Sequence, residues 1–210
     1  LIEAERGDVR VVIAEENSAP TGYFACHAPD GGVVRPVGAP LSDYQGFAAR
    51  PGFAAPADQL LETLGASALV YDNWTGAAPG RARERAGSAV IDLSAGAGRW
   101  MENRKALHKP HFKKIAQRKR KAEREFGPVR IVFGDPLGER YAALKAWKSA
   151  QYRESGLTDL FSVPWIEGVM ARTAARAFGP FRGLTASLYL GEELAAVETG
   201  LAAGVVYHSW

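Results

Sequence analysis

Cysteine is almost missing from this chain: Cys26 is the single one in 210 residues. One thiol excludes an internal disulfide framework and a cysteine-based zinc cluster. It suits a reducing compartment, so a cytoplasmic protein is expected. No apolar run reaches the roughly 18 residues of a membrane span. The N-terminus shows neither a basic-then-apolar signal pattern nor an initiator Met. Opening at Leu1 and closing at Trp210, inside an apolar run, the sequence reads as a piece with both ends missing. Asn73-Trp74-Thr75 has the form of a glycosylation sequon, but without a secretion signal it is read as chance.

The usual catalytic signatures are also missing. There is no G-x-x-x-x-G-K-[ST] phosphate loop, no G-x-S-x-G nucleophile elbow and no H-E-x-x-H zinc helix. Gly96-Ala97-Gly98 is too short for a dinucleotide fingerprint, and a flexible linker is the better reading. Acids are nearly absent from residues 104–124, where ten lysines and arginines face only Glu123. That stretch carries a net +9, so with a total of +3 the rest of the chain sums to −6. Such a chain is not built overall to coat a polyanion; its charge is confined to one stripe.

What is present is the balance of a folded domain, 47% apolar and 23% charged. Residues 9–14 (VRVVIA), 21–27 and 33–37 read as strands, joined by turns at 15–20 and at Asp30-Gly31-Gly32. A Pro- and Gly-rich loop follows. Pro56 opens a short helix with Leu60, Leu61 and Leu64 inward, and Gly65 caps it. Residues 66–72 and 89–93 read as strands, with an exposed loop over 75–87. Beyond the basic stretch, 129–133 predicts a strand and 137–154 a helix with Leu137, Tyr141, Leu144, Trp147 and Gln151 on one stripe. Ser162 is the expected N-cap of a further helix with Ile166, Val169, Met170, Thr173 and Ala177 inward. Strands at 184–190, 194–201 and 205–210 close the chain.

The ending echoes the beginning: strand, Glu-Glu turn, strand, Gly turn, then a strand opening Val-Val. This predicts duplicated α/β halves at about 1–95 and 100–210, with a seam at 94–99 (SAGAGR). The expected fold is an α/β (α+β) one, a mixed and largely antiparallel sheet flanked by helices.

As a helix, 104–126 places Phe112, Ile115, Ala116, Lys119, Ala122 and Phe126 on one stripe, so it should dock on something while its other faces stay cationic. A bridge between halves leads over a subunit surface, a phosphate-rich ligand site and a nucleic-acid groove. Lys113, Lys114, Arg118 and Lys121 are the candidate anion-binding residues. Aromatics are not interleaved among the cations, which speaks against a stacking platform for single strands. His108 and His111 could share a face, yet Lys109, Lys113 and Lys114 surround them and oppose a metal, so none is expected. Cys26 and His27 are adjacent on a strand and point to opposite faces, which excludes them as a nucleophile–base pair.

Four ionisable residues are candidates for acceptor contact or proton transfer. Asp43 and Tyr44 lie in a loop after a predicted strand, where a carboxylate base and a phenol donor could meet a substrate, though Asp43 equally suits an Asx-type turn. Glu198 and His208 lie in apolar strands, His208 beside Tyr207, and a structural role is the alternative for each.

In the second half the segments "KPHFKKIAQRKRKAEREFG", "VRIVFGD", "ERYAALKAWKSAQYRESG", "VPWIEGVMARTAARAFG" and "LTASLYLGEELAAVETGLAAGVVYHSW" follow one another in an order that resembles the CelD-like branch of the GNAT acyltransferase superfamily. In that branch a basic helix of the form RRxxRRAER precedes the first strand of the acyltransferase domain; here it reads QRKRKAER, residues 117–124. The stretch "GAPLSDYQG", 38–46, looks like the family's N-terminal half, so the resemblance covers nearly all of the chain. It implies transfer of an acyl group from acetyl-CoA or another acyl-CoA, a cosubstrate and not a tightly bound cofactor, to an amine or hydroxyl. The acceptor it implies is a small molecule or a saccharide, such as a polysaccharide or cell-envelope precursor. The family's Q/R-x-x-G-x-G/A pyrophosphate loop would follow Trp210, and the region 38–46 lacks its glycine spacing. Two alternatives stay open. One is a tRNA-dependent aminoacyl transferase of the peptidoglycan cross-bridge type, in which the basic helix would meet RNA. The other is a non-catalytic scaffold.

Overall fold

The computed structural model describes residues 1–80, 84–134, 138–175 and 177–209; Leu137 and Trp210, both named above, lie outside them. The chain divides into two compact units, one of Leu1–Gly87 with Val163–Val169, the other of residues 88–162 with 170 onward.

The first unit begins with α1 (Ile2–Arg6) and a hairpin of β1 (Val9–Glu16) and β2 (Ala19–His27), in antiparallel register from Val9↔His27 to Glu16↔Ala19. Alternation along β2 buries Gly22, Phe24 and Cys26 on one side, the period-2 signature of a half-buried strand. The third predicted strand is shorter than its apolar run. β3 (Val33–Val34) is paired in parallel with a later strand, while residues 35–37 turn back onto β2. There the His27 amide donates to the Arg35 carbonyl at 2.9 Å and the Val37 amide to Ala25 at 2.9 Å. Pro36 opposite Cys26 explains the irregularity, since it has no N–H to extend a ladder.

β4 (Ala48–Ala49) pairs with β2 at Gly22 and Tyr23, giving the order β1–β2–β4. α2 (Ala57–Leu64) starts after Pro56 and ends at Gly65 with φ 61°, as expected. β5 (Ala68–Leu69), the parallel partner of β3, is all that forms of the strand predicted at 66–72. Phe24, Cys26, Val34 and Leu60 are buried, and Val12, Phe47, Leu64, Leu69 and Trp74 pack around them. Burial of a side chain the size of Phe24 contributes roughly 1.5–3 kcal/mol.

In the second unit α3 (Ala97–Leu107) and α4 (Lys109–Phe126) precede β6 (Val129–Phe133) and α5 (Glu139–Glu154). A 3-10 turn at Leu160–Ser162 leads to α6 (Pro164–Ala175), then β7 (Ala177–Phe178), β8 (Phe181–Leu190), β9 (Glu193–Ala203) and β10 (Val206–Ser209). The sheet order is β10–β9–β8–β6, with every pair antiparallel, and β7 pairs with β8. Thr185, Ser187 and Thr199 are buried on the face that meets α5, where Arg140 Nε donates to the Tyr189 hydroxyl at 3.1 Å. Gly183 lies against the backbone of Thr173 in α6: a Cβ there would fall 2.9 Å from the Thr173 carbonyl carbon.

Several local expectations change. Residues 89–93 form no strand, because no described segment lies alongside to complete a ladder; Val90 is 84% exposed. The single basic helix is two helices. Pro110 lacks an amide proton and disfavours helical backbone just before it, so α3 closes at His108 and α4 starts from the His108 carbonyl. The apolar stripe of α4 is only partly covered: Phe112 and Ala122 are half-buried, while Ile115 and Phe126 are exposed. On α5 the buried line runs through Tyr141, Leu144 and Ser149, leaving Trp147 and Gln151 exposed. Ser162 belongs to the 3-10 turn, donating to the Asp159 carbonyl at 2.6 Å, and Val163 accepts the first amides of α6. Ala177 lies on β7, not on the helix. No described helix is long and apolar enough to cross a membrane.

Candidate functional site

Strand register decides which ionisable groups of the second unit meet. In the β8–β9 pairing Glu198 faces Ala186, and in the β9–β10 pairing Tyr207 faces Ala202 and His208 faces Leu201. Side chains alternate along a strand, so Glu198, Gly200, Ala202 and Tyr207 share one face and His208 projects from the other. Gly200 makes the contact possible. A Cβ there would sit 2.6 Å from the Tyr207 Oη, so the ring lies across the space that a side chain would fill. From that position the Tyr207 hydroxyl donates to Glu198 Oε1 at 3.2 Å. Burial, then the adjacent Glu198 charge, then this hydrogen bond push the Tyr207 phenol up to about 12.

The same sheet face continues through Ala186 to Phe133 and through Leu188 to Ile131. Phe133 is 67% and Ile131 63% exposed. The arrangement is a largely apolar surface with one carboxylate that accepts a hydrogen bond from a protonated phenol. It can receive an amine or hydroxyl beside Glu198 and take its proton.

Asp43 and Tyr44 lie in the other unit, on the exposed side of the loop at 38–46. The residue that organises this loop is Gln45, which the sequence reading passed over. It is buried; its Oε1 accepts the Asp72 amide at 2.9 Å, and its carbonyl accepts the Thr75 amide at 2.8 Å and the Thr75 hydroxyl at 3.1 Å. Its only sequence signal is a polar residue two positions before Phe47 in a glycine-rich loop.

His27 is the other hidden polar residue. Its Nε2 accepts the Gly38 amide at 3.1 Å, which leaves the proton on Nδ1 to be donated to Asp8 Oδ1 at 3.0 Å. Arg6 Nε donates to the same Asp8 oxygen at 2.8 Å and holds the Asp8 carboxyl below its usual range, with His27 adding to the effect and burial opposing it. Both nitrogens of His27 are engaged, so this is a clamp on the loop and not a free base. Nearby, Phe47, Phe53 and Trp74 line a cavity of about 200 Å³, with Arg50 at its edge paired to Glu16.

Lys113, Lys114, Arg118 and Lys121 are all exposed on α4. Lys121 Nζ lies 3.8 Å from Glu125, and on the stripe side Lys119 meets Glu123 at 3.1 Å. No group of three or more His, Cys, Asp or Glu among the described residues could hold a metal ion.

An antiparallel sheet flanked by helices, with α5 and α6 inserted between its first two strands in chain order, is the mixed α+β architecture of GNAT-like folds. Residues 109–210 match the family model of the acetyltransferase (GNAT) domain, a domain of acyl transfer. The match begins at the first residue of α4 and takes in Glu198, Tyr207 and His208. No curated protein and no solved structure matches the chain significantly.

Proposed function

We propose that the protein transfers an acyl group from acyl-CoA, acetyl-CoA in the first instance, to an amine or hydroxyl of a small-molecule or saccharide acceptor. The observation that carries this reading is the Glu198–Tyr207 pair on the open face of the sheet, inside the region matched by the acetyltransferase family. The acceptor heteroatom attacks the thioester carbonyl carbon; the new C–N or C–O bond forms and the C–S bond breaks, releasing CoA as its thiol. Glu198 takes the acceptor's proton, the departing CoA thiolate takes up a proton from solvent to leave as the thiol, and Tyr207 holds the carboxylate in place from the neighbouring strand. Strand amides polarise the thioester carbonyl. His208 projects from the other face and has no part in this step; Asp43 and Tyr44 belong to the first unit, outside the matched region. The β1–β2 and β8–β9 hairpins support a duplicated GNAT-like origin for the two halves, and the CelD-like resemblance of the sequence is what points to a polysaccharide or cell-envelope acceptor.

The test uses full-length protein. Acetyl-CoA should raise the melting temperature, and acceptor-dependent release of the CoA thiol should be measurable over a panel of amines and amino sugars. Glu198→Gln should lower kcat by about 10²–10⁴, far more than the loss of one exposed hydrogen bond, about 1 kcal/mol of stability, would explain. No thermal shift with any acyl-CoA overturns the acyl-transfer reading. Thiol release unaffected by Glu198→Gln overturns the assignment of the base.

A further inference from the structure

We infer that α4 is a binding surface for duplex nucleic acid, seated in a groove between two rows of phosphates; this stands independently of the acyl-transfer reading. At about 100° per residue the exposed cations of α4 fall into two rows. Lys109, Lys113, Arg120 and Arg124 form one, and Lys114, Arg118 and Lys121 the other, with their centres roughly 110° apart on the helix circumference. Gln117 and Pro110 run between them. All seven cations are exposed, and among the described residues only Lys121 meets a carboxylate, that of Glu125 at 3.8 Å, which lies within the second row. The acid of the first helical ion pair, Glu123, is turned to Lys119 near the apolar stripe and does not touch either row.

The helix holds this charge against itself. Lys109 and Lys113, Lys114 and Arg118, and Arg120 and Arg124 are like charges at i,i+4, and Lys121 is three residues from both Arg118 and Arg124. A solvated bridge needs none of that repulsion, because glutamate at half of these positions would serve it better. A polyanion removes it.

The two-row layout selects the kind of polyanion. A flat anionic bilayer meets only one side of a cylinder. The side of α4 suited to a bilayer, with Ile115 and Phe126 exposed, is opposite the rows, so docking it on lipid would carry the cations away from the headgroups. A groove, by contrast, touches a helix on both flanks at once. The B-form major groove, about 12 Å wide with phosphates along each rim, admits an α-helix, whereas the A-form major groove is too narrow. Gln117, between the rows, would face the base edges.

Fluorescence anisotropy of the full chain with a labelled DNA duplex of about 20 base pairs, at stepped salt, tests this. Seven phosphate contacts predict a slope of log K on log salt of about −6. Replacing Lys113, Lys114, Arg118 and Lys121 together by Gln should reduce that slope by about 3–4 and weaken binding at least about tenfold at fixed salt. A charge-matched control with Arg10, Arg35, Lys145 and Lys148 changed to Gln should retain the wild-type slope. Circular dichroism of each variant verifies that the helices persist. The inference is overturned if no salt-dependent duplex binding occurs, or if the control loses as much as the α4 variant. It is equally overturned if RNA duplex, single strands or anionic phosphatidylglycerol vesicles bind in preference to the DNA duplex.

Discussion

The Tyr207 hydroxyl donates to Glu198 Oε1 at 3.2 Å across two antiparallel strands, over a glycine that leaves room for the ring. The phenol is therefore held protonated by its surroundings, by burial first and by the Glu198 carboxylate second.

Glu198→Gln removes the charge while burial stays, so the Tyr207 phenol should fall from about 12 but remain above 10. Ultraviolet absorbance of tyrosinate on alkaline titration follows this directly. The raised value also sets a sign for stability. The folded state keeps a proton that the unfolded chain has lost, so this contribution is present below pH 10 and fades as pH rises from 10 towards 12. The variant should lose less stability over that window than wild type.

At the other site, His27→Phe leaves the Gly38 amide and the Asp8 carboxylate without their imidazole partner. A cost of about 1–3 kcal/mol is expected in urea unfolding, with faster hydrogen exchange at the Gly38 amide. Asp8→Asn should act differently, through acid sensitivity. The Asp8 carboxyl is lowered in the folded state, so its contribution is present above the usual carboxylate range and is lost as pH falls through the folded value. The wild type should therefore lose stability in acid over a window in which Asp8→Asn changes less.

Gly183→Ala would drive a methyl into the Thr173 backbone of α6, which cannot yield as a side-chain tip would. We expect a loss of about 2 kcal/mol or more, or a shifted helix, read from the melting temperature.

Thr199→Val should go the other way. The Thr199 hydroxyl is buried and has no hydrogen-bond partner among the described residues, and valine has nearly the same shape. Removing the stranded hydroxyl should raise stability by about 1 kcal/mol. A drop of that size would mean that the hydroxyl is paired through a bridging water.

Much of this molecule was legible from local pattern. The strands at 9–14, 129–133 and 184–190 and the helix closed by Gly65 stand where apolar periodicity and turn residues put them. The apolar run at 89–93 predicts a strand on the same evidence and forms none, because pairing partners are not encoded in the run itself. The buried line of α5 departs from its apolar stripe for a related reason: Ser149 is buried because Asp159 is there to accept its hydroxyl at 3.0 Å, a partner ten residues away. The roles of Gln45 and His27 could not be read from the sequence, since a buried polar residue is recognised only by the groups that satisfy it.

The charge of the basic stretch was set by the sequence alone: ten cations against one acid over 104–124 are cationic in any fold. So was the alternation that makes β8 and β9 strands. Which face each ionisable group occupies was not, because register is fixed between strands and not within them. Tertiary structure alone placed Tyr207 beside Glu198, sent His208 to the other side of the sheet, and left two rows of α4 cations facing outward with half of its apolar stripe uncovered.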